Sequence, residues 1–122
     1  MPLYRLDHVN VCTHRLPEMR AFYRDVLGLA EGPRPAFSFG GAWLYLGDHP
    51  CVHLVEVAAA RNPSGELRLE HFAFAATGLR EFLDRLESAR VEYRISHLPS
   101  GTTTQVNLRD PDGNRIHVDF EA

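Results

Sequence analysis

The sequence predicts an α+β fold built from two copies of one βαβββ unit. Two observations carry that expectation. Apolar runs of period two and apolar stripes of helical period follow one another in the order strand, helix, strand, strand, strand, and then the order repeats. Short motifs also recur at a fixed spacing: Leu6-Asp7-His8-Val9 returns as Leu69-Glu70-His71-Phe72, and Leu16 and Met19 return as Leu79 and Phe82, each 63 residues on. His53 returns as His117 after 64, one residue having been inserted. A chain of 122 residues is long enough for one core-bearing domain but not for two independent ones. The expected organisation is a single domain, with a first module over about residues 1–58, a linker over about 59–66 and a second module over about 67–122.

Taken in order, Leu3–Cys12 alternates and is β-branched, which predicts a strand. Met19, Phe22, Tyr23, Val26 and Leu27 fall at helical spacing, with Pro17 and Glu18 suited to the first turn and Gly28 to the position past the end. Gly32-Pro33-Arg34-Pro35 breaks the chain, and three short strands are expected at Ala36–Phe39, Ala42–Leu46 and Cys51–Val57. Polar, turn-rich Ala58–Gly65 is the midpoint. Leu67–Ala75 is the next strand, and Thr77 is the expected N-cap of a helix striped by Leu79, Phe82, Leu83 and Leu86. Val91–His97, Thr103–Arg109 and Arg115–Phe120 complete the second copy, the last two joined by the tight turn Asp110-Pro111-Asp112-Gly113.

Composition narrows the function. A net charge of −3 with scattered arginines gives no basic face, which argues against nucleic-acid binding. The N-terminus carries no signal-peptide pattern and no stretch reaches the ~20 apolar residues of a membrane span. Cys12 and Cys51 lie inside apolar strand patterns and read as reduced cysteines of a cytoplasmic protein.

The histidines are the chemical signal. His8, His53, His71 and His117 occupy two pairs of matching places in the two copies. His8 shares a strand face with Leu6 and Asn10, and His117 with Arg115 and Asp119, the opposite faces being those a helix would cover. A lone strand histidine is more often a hydrogen-bonded, half-buried ring than a ligand. Two symmetric pairs favour a metal, and imidazole suits zinc, nickel, iron or copper. His14, His49 and His97 fall in turns or at strand ends and read as surface residues, His49 being the one of the three that could lie near a pocket mouth.

The chain resembles the vicinal oxygen chelate superfamily, which includes glyoxalase I, fosfomycin-resistance proteins, extradiol dioxygenases and bleomycin-resistance proteins. The resemblance rests on Leu6-Asp7-His8-Val9, Phe22-Tyr23-Arg24-Asp25-Val26-Leu27-Gly28-Leu29, Ala42-Trp43-Leu44-Tyr45-Leu46-Gly47 and Asp110-Pro111-Asp112-Gly113-Asn114-Arg115-Ile116. It implies two βαβββ modules forming an incomplete barrel around a divalent ion (zinc, nickel, iron or manganese), a small-molecule substrate and a homodimer. The implied ligands are His8, His53, His71 and His117. The sequence departs from the pattern at one place: the position after Asp-Pro-Asp-Gly-Asn-x-Ile is ordinarily glutamate, both ligand and candidate base, and here it is His117. That loss of a carboxylate weakens the oxygenase reading, leaves the ion's charge uncompensated, and makes His117 the candidate catalytic residue.

Trp43 and Tyr45 are candidates for stacking a flat substrate, against the alternative of simple core packing. Gln105 and Asn107 share a strand face and are candidate substrate hydrogen-bonders. Phe37 and Phe39 precede a glycine pair that suits a flap or a plain hairpin. The leading functional expectation is a metal-dependent lyase or isomerase of glyoxalase type, resembling lactoylglutathione lyase. The competing ones are a fosfomycin-resistance-like transferase, an extradiol dioxygenase, and a non-catalytic protein of bleomycin-resistance type that sequesters a small molecule.

Overall fold

The computed structural model describes residues 5–59, 69–99 and 101–121. The chain divides into two compact units, Met1–Pro63 and Ser64–Ala122, and each carries one open four-stranded sheet. No helix is long and apolar enough to cross a membrane.

The first unit contains β1 (Val9–Thr13), α1 (Leu16–Ala21), β2 (Ala30–Gly32), β3 (Gly41–Leu46) and β4 (His49–Glu56). The sheet order is β1-β4-β3-β2. β1 runs parallel to β4, while β2–β3 and β3–β4 are antiparallel. A parallel pair needs a crossover, and α1 with the β2–β3 hairpin supplies it. Leu16, Met19, Phe22, Tyr23, Val26 and Leu29 from the helical side bury themselves with Ala42, Leu44, Val52 and Leu54 from the sheet. The helix opens on Thr13, whose Oγ1 accepts the Arg15 N–H at 2.9 Å, with Pro17 in its first turn. It then widens into a π-helical turn over Phe22–Val26, an extra residue in the turn that lets Phe22, Tyr23 and Val26 all face the core. Gly28, at φ +80°, reverses the chain after it.

The second unit contains β5 (Phe72–Ala76), α2 (Leu79–Ser88), β6 (Tyr93–His97), β7 (Thr103–Arg109) and β8 (Arg115–Glu121), in sheet order β5-β8-β7-β6. The pairing pattern matches the first unit, with β5 parallel to β8 and the rest antiparallel. Its core is Leu83 and Leu86 with Val106, Leu108, Ile116, Val118 and Phe120, and the Phe82 ring stands 5.6 Å from that of Phe120.

Several elements differ from the sequence expectation. Ala36–Phe39 is not a strand. Pro33 and Pro35 remove two donors, the Phe37 N–H closes a tight turn on Pro35 O at 2.8 Å, and Ala30–Gly32 pairs with β3 instead. The first strand of each copy is shorter than expected, beginning at Val9 and Phe72; Leu3, Tyr4, Leu67 and Arg68 lie outside the described residues. In the first unit the reason is visible on the partner strand. The β1–β4 ladder starts at Val9↔Val52, and upstream of Val52 stand an irregularity at Cys51 and Pro50, which has no N–H to offer. The N-cap of α2 is Gly78 at φ +82° rather than Thr77. Most of the expected midpoint stretch lies outside the described residues.

Candidate functional site

In the first unit, His8 sits immediately ahead of β1 and His53 in the middle of β4. Register places Asn10, His53, Trp43 and Gly32 side by side across β1, β4, β3 and β2, so the side chains of Asn10, His53 and Trp43 share the face turned away from the helix. His8 stacks on His53 with ring centroids 3.9 Å apart and planes at 11°. Trp43 stacks on the other face of His53 at 4.0 Å and 9°. Phe37 continues the series 6.5 Å from Trp43, and Phe39 lies 4.8 Å from Phe37. Tyr45 is brought to the same face but is tied down. Its hydroxyl donates to Pro33 O and its ring fills the space over Gly32, where a Cβ would come within 2.7 Å of it.

The second unit repeats the pair. His71 precedes β5 and stacks on His117 of β8 at 4.1 Å and 11°. Register places Ala73, His117, Asn107 and Arg94 side by side, with Ala75, Asp119, Gln105 and Ser96 in the next row of the same face. The Asn107 side-chain nitrogen donates to Arg94 O and Ser96 Oγ, each at 3.0 Å. Asp119 Oδ1 is buried with no hydrogen-bond partner among the described residues.

Electrostatics repeat as well. Nδ1 of His8 donates to Asp7 Oδ2 at 2.8 Å and Nδ1 of His71 to Glu70 Oε1 at 2.5 Å. A carboxylate on Nδ1 fixes the tautomer and leaves the Nε2 lone pair outward, the arrangement that outer carboxylates give to metal-bound histidines. Those bonds hold the Asp7 and Glu70 carboxyls below their usual range, Arg115 adding to the effect on Glu70. His53 is pushed down from the ordinary imidazole value by partial burial and then by His8 beside it. His117 is pushed down by partial burial and then by His71. Both shifts favour the neutral ring, the form that ligates. The His53 Nε2–H donates to Pro50 O at 3.0 Å, so its available lone pair is on Nδ1.

The donor set therefore fits a divalent ion in its chemistry. Stacked rings, however, carry their in-plane lone pairs in nearly parallel planes, so the two rings of one pair do not converge on one atom as they stand. Within each unit no group of three or more histidine, cysteine, aspartate or glutamate side chains among the described residues is gathered closely enough to hold a metal by itself. Cys12 and Cys51 are free and half-buried.

Sequence reasoning missed Arg34. Its guanidinium carbon lies 5.0 Å from the Phe37 ring centre and 5.6 Å from that of Phe39. The signal available was an arginine between two prolines in an otherwise apolar approach to β3.

A sequence profile described as Glyoxalase/Bleomycin resistance protein/Dioxygenase superfamily matches residues 5–118. The chain belongs to this superfamily. Among solved structures it is similar to a glyoxalase family protein from Bacillus anthracis, with 28% identity and a TM-score of 0.82 over 100% of this chain and 98% of that one. It is also similar to a lactoylglutathione lyase from Agrobacterium tumefaciens, with 25% identity and a TM-score of 0.74 over 98% and 96% of the two chains. A curated relative, biphenyl-2,3-diol 1,2-dioxygenase 3 of Rhodococcus globerulus, is 29% identical over 96% of this chain, which spans 63% of that relative's length. The α+β fold with two four-stranded sheets is thus the glyoxalase fold.

Proposed function

We propose that the chain is a metal-dependent lyase or isomerase of glyoxalase type, acting on a small substrate that presents two neighbouring oxygens. The candidate ligands are His8 and His53 in the first unit and His71 and His117 in the second. The observation that carries this reading is the repeated carboxylate-anchored histidine, Asp7–His8 and Glu70–His71, each stacked on a second ring that partial burial pushes below the ordinary imidazole value. A bound divalent ion supplies Lewis acidity toward the substrate oxygens.

The chain's own residues do the rest. Asp7 and Glu70 hold His8 and His71 in the tautomer that exposes Nε2. Trp43 offers a flat wall beside His53, and Gln105 with Asn107 offers polar contacts beside His117. No hydrogen bond among the described residues fixes the His117 ring, so it is the candidate ligand that would stand off the ion and move a proton once a substrate is bound. The lactoylglutathione lyase neighbour and a dioxygenase relative named for a diol are in keeping with such a substrate. A homodimer belongs to the same proposal, and light scattering measures it.

Metal analysis of the purified protein tests the reading. The native chain should retain a divalent ion, His8→Ala and His71→Ala should each lose most of it, and His117→Gln should abolish turnover of the methylglyoxal–glutathione hemithioacetal. Unchanged metal content in both alanine variants would overturn the assignment. A second reading, sequestration of a small molecule without turnover, is favoured by the ring series Trp43–Phe37–Phe39; a metal-free native protein that still binds an aromatic ligand would select it.

A further inference from the structure

The loop between β2 and β3 carries an arrangement that the histidine chemistry does not use. Arg34 is held over the Phe37 and Phe39 rings, and its Nη2 donates to Phe39 O at 3.2 Å. Its Nε–H is shielded from solvent and has no acceptor among the described residues. No carboxylate among the described residues pairs with this guanidinium, whereas Arg20 and Arg24 both find acids. The loop therefore holds a positive charge with unmet hydrogen-bonding capacity against an aromatic surface. Phe37 and Phe39 are 43% and 44% exposed, and Phe37 leads directly to Trp43 and the His8–His53 stack.

Two kinds of recognition are thus set side by side. Exposed rings bind flat apolar surface by stacking, and a planar guanidinium that no carboxylate pairs with can take one through its remaining N–H donors. We propose that the Arg34–Phe37–Phe39 loop is a recognition site for a planar aromatic carboxylate, the ring lying against Phe37 and Trp43 and the carboxylate directed to Arg34. This rests on the reading of the histidine face as a small-molecule site, and it adds a class of ligand that the site would bind.

The test uses Trp43, the single tryptophan of the chain, whose indole N–H gives one resonance in an amide correlation spectrum. Benzoate, benzamide and cyclohexanecarboxylate are titrated into the full chain, both as purified and after treatment with a chelator. Benzoate should shift the Trp43 resonance saturably, with at least tenfold tighter binding than either its neutral or its non-planar analogue. Arg34→Met should erase the preference for benzoate over benzamide, Arg34→Lys should keep part of it, and Phe37→Leu should weaken both aromatic ligands together. The remaining amide resonances report whether each variant is folded. Absence of a benzoate-induced shift overturns the proposal, as does an unchanged benzoate-to-benzamide ratio in folded Arg34→Met. Either result leaves the metal content of the protein untouched. Conversely, a metal-free protein that still discriminates through Arg34 retires the metalloenzyme reading alone.

Discussion

The two units share topology, register and a stacked histidine pair, yet the wall beside that pair differs. Where the first unit sets Trp43 in register with His53, the second sets Asn107 in register with His117. Gly41 and Val55 of the first unit stand where the second has Gln105 and Asp119. One copy thus presents a flat aromatic surface and the other a polar one, with the buried Asp119 Oδ1 finding no hydrogen-bond partner among the described residues. The two copies keep the stacked histidines in common and differ in the residues beside them. The turns diverged too. Asp110 holds the β7–β8 turn by accepting the Asp112 and Asn114 N–H groups on Oδ1 at 3.0 and 2.9 Å and Asn114 Nδ2 on Oδ2 at 2.7 Å. The β3–β4 turn at Gly47-Asp48 has exposed residues in its place.

The largest expected effect is at those turns. Asp110→Ala strands three donors around a buried position and should lower stability by about 3 kcal/mol, whereas Asp48→Ala should stay within about 0.5 kcal/mol; chemical denaturation of both variants measures the contrast. Equal effects would break the comparison. Next come the carboxylates behind the histidines. Asp7→Asn and Glu70→Gln should each weaken divalent-ion affinity roughly 10–100-fold, read by competition with a chromophoric chelator; a loss at one site only would show that the two pairs are not equivalent.

Smaller effects are expected at the helix ends. The first helical segment is followed by Gly28 at φ +80°, but the second by Arg90 at φ +57°, a left-handed conformation that disfavours any side chain. Gly28→Ala should cost about 1 kcal/mol, while Arg90→Gly should raise stability by up to about 1 kcal/mol; thermal melts of the pair give opposite signs if the two ends are as different as they look. The smallest effect is that of pH on ion-free protein. His53 and His117 bind protons less readily folded than unfolded, so their contribution is complete above about pH 6.5 and is lost as pH falls through the lower folded values. The denaturation midpoint should fall on acidification from about pH 6.5, and the double variant His53→Asn/His117→Asn should flatten that slope.

Much of this was legible in the chain. The 63- and 64-residue spacings reappear as one register, Asn10↔His53 against Ala73↔His117. The strand Thr103–Arg109 has the extent that its pattern indicated. The places where local pattern failed have local causes. Ala36–Phe39 is apolar enough for a strand, but its flanking prolines and the aromatic packing of Phe37, Phe39 and Arg34 hold it as a loop, and Ala30–Gly32 takes the edge position. Thr77 has the right chemistry for a cap, but the chain enters α2 through Gly78 in a conformation that suits glycine.

The sequence by itself determined the duplicated unit, the buried faces and the four matched histidines, because these follow from side-chain period and spacing, which are properties of the chain alone. Only the tertiary structure decided that His8 and His53, and His71 and His117, meet ring to ring. The same holds for which nitrogen each carboxylate or carbonyl engages, and for the seating of Arg34 over two phenyl rings beside Trp43. Those facts depend on which strand lies next to which and on the path of a loop, and contacts between residues distant in sequence are fixed by packing and register rather than by any local pattern.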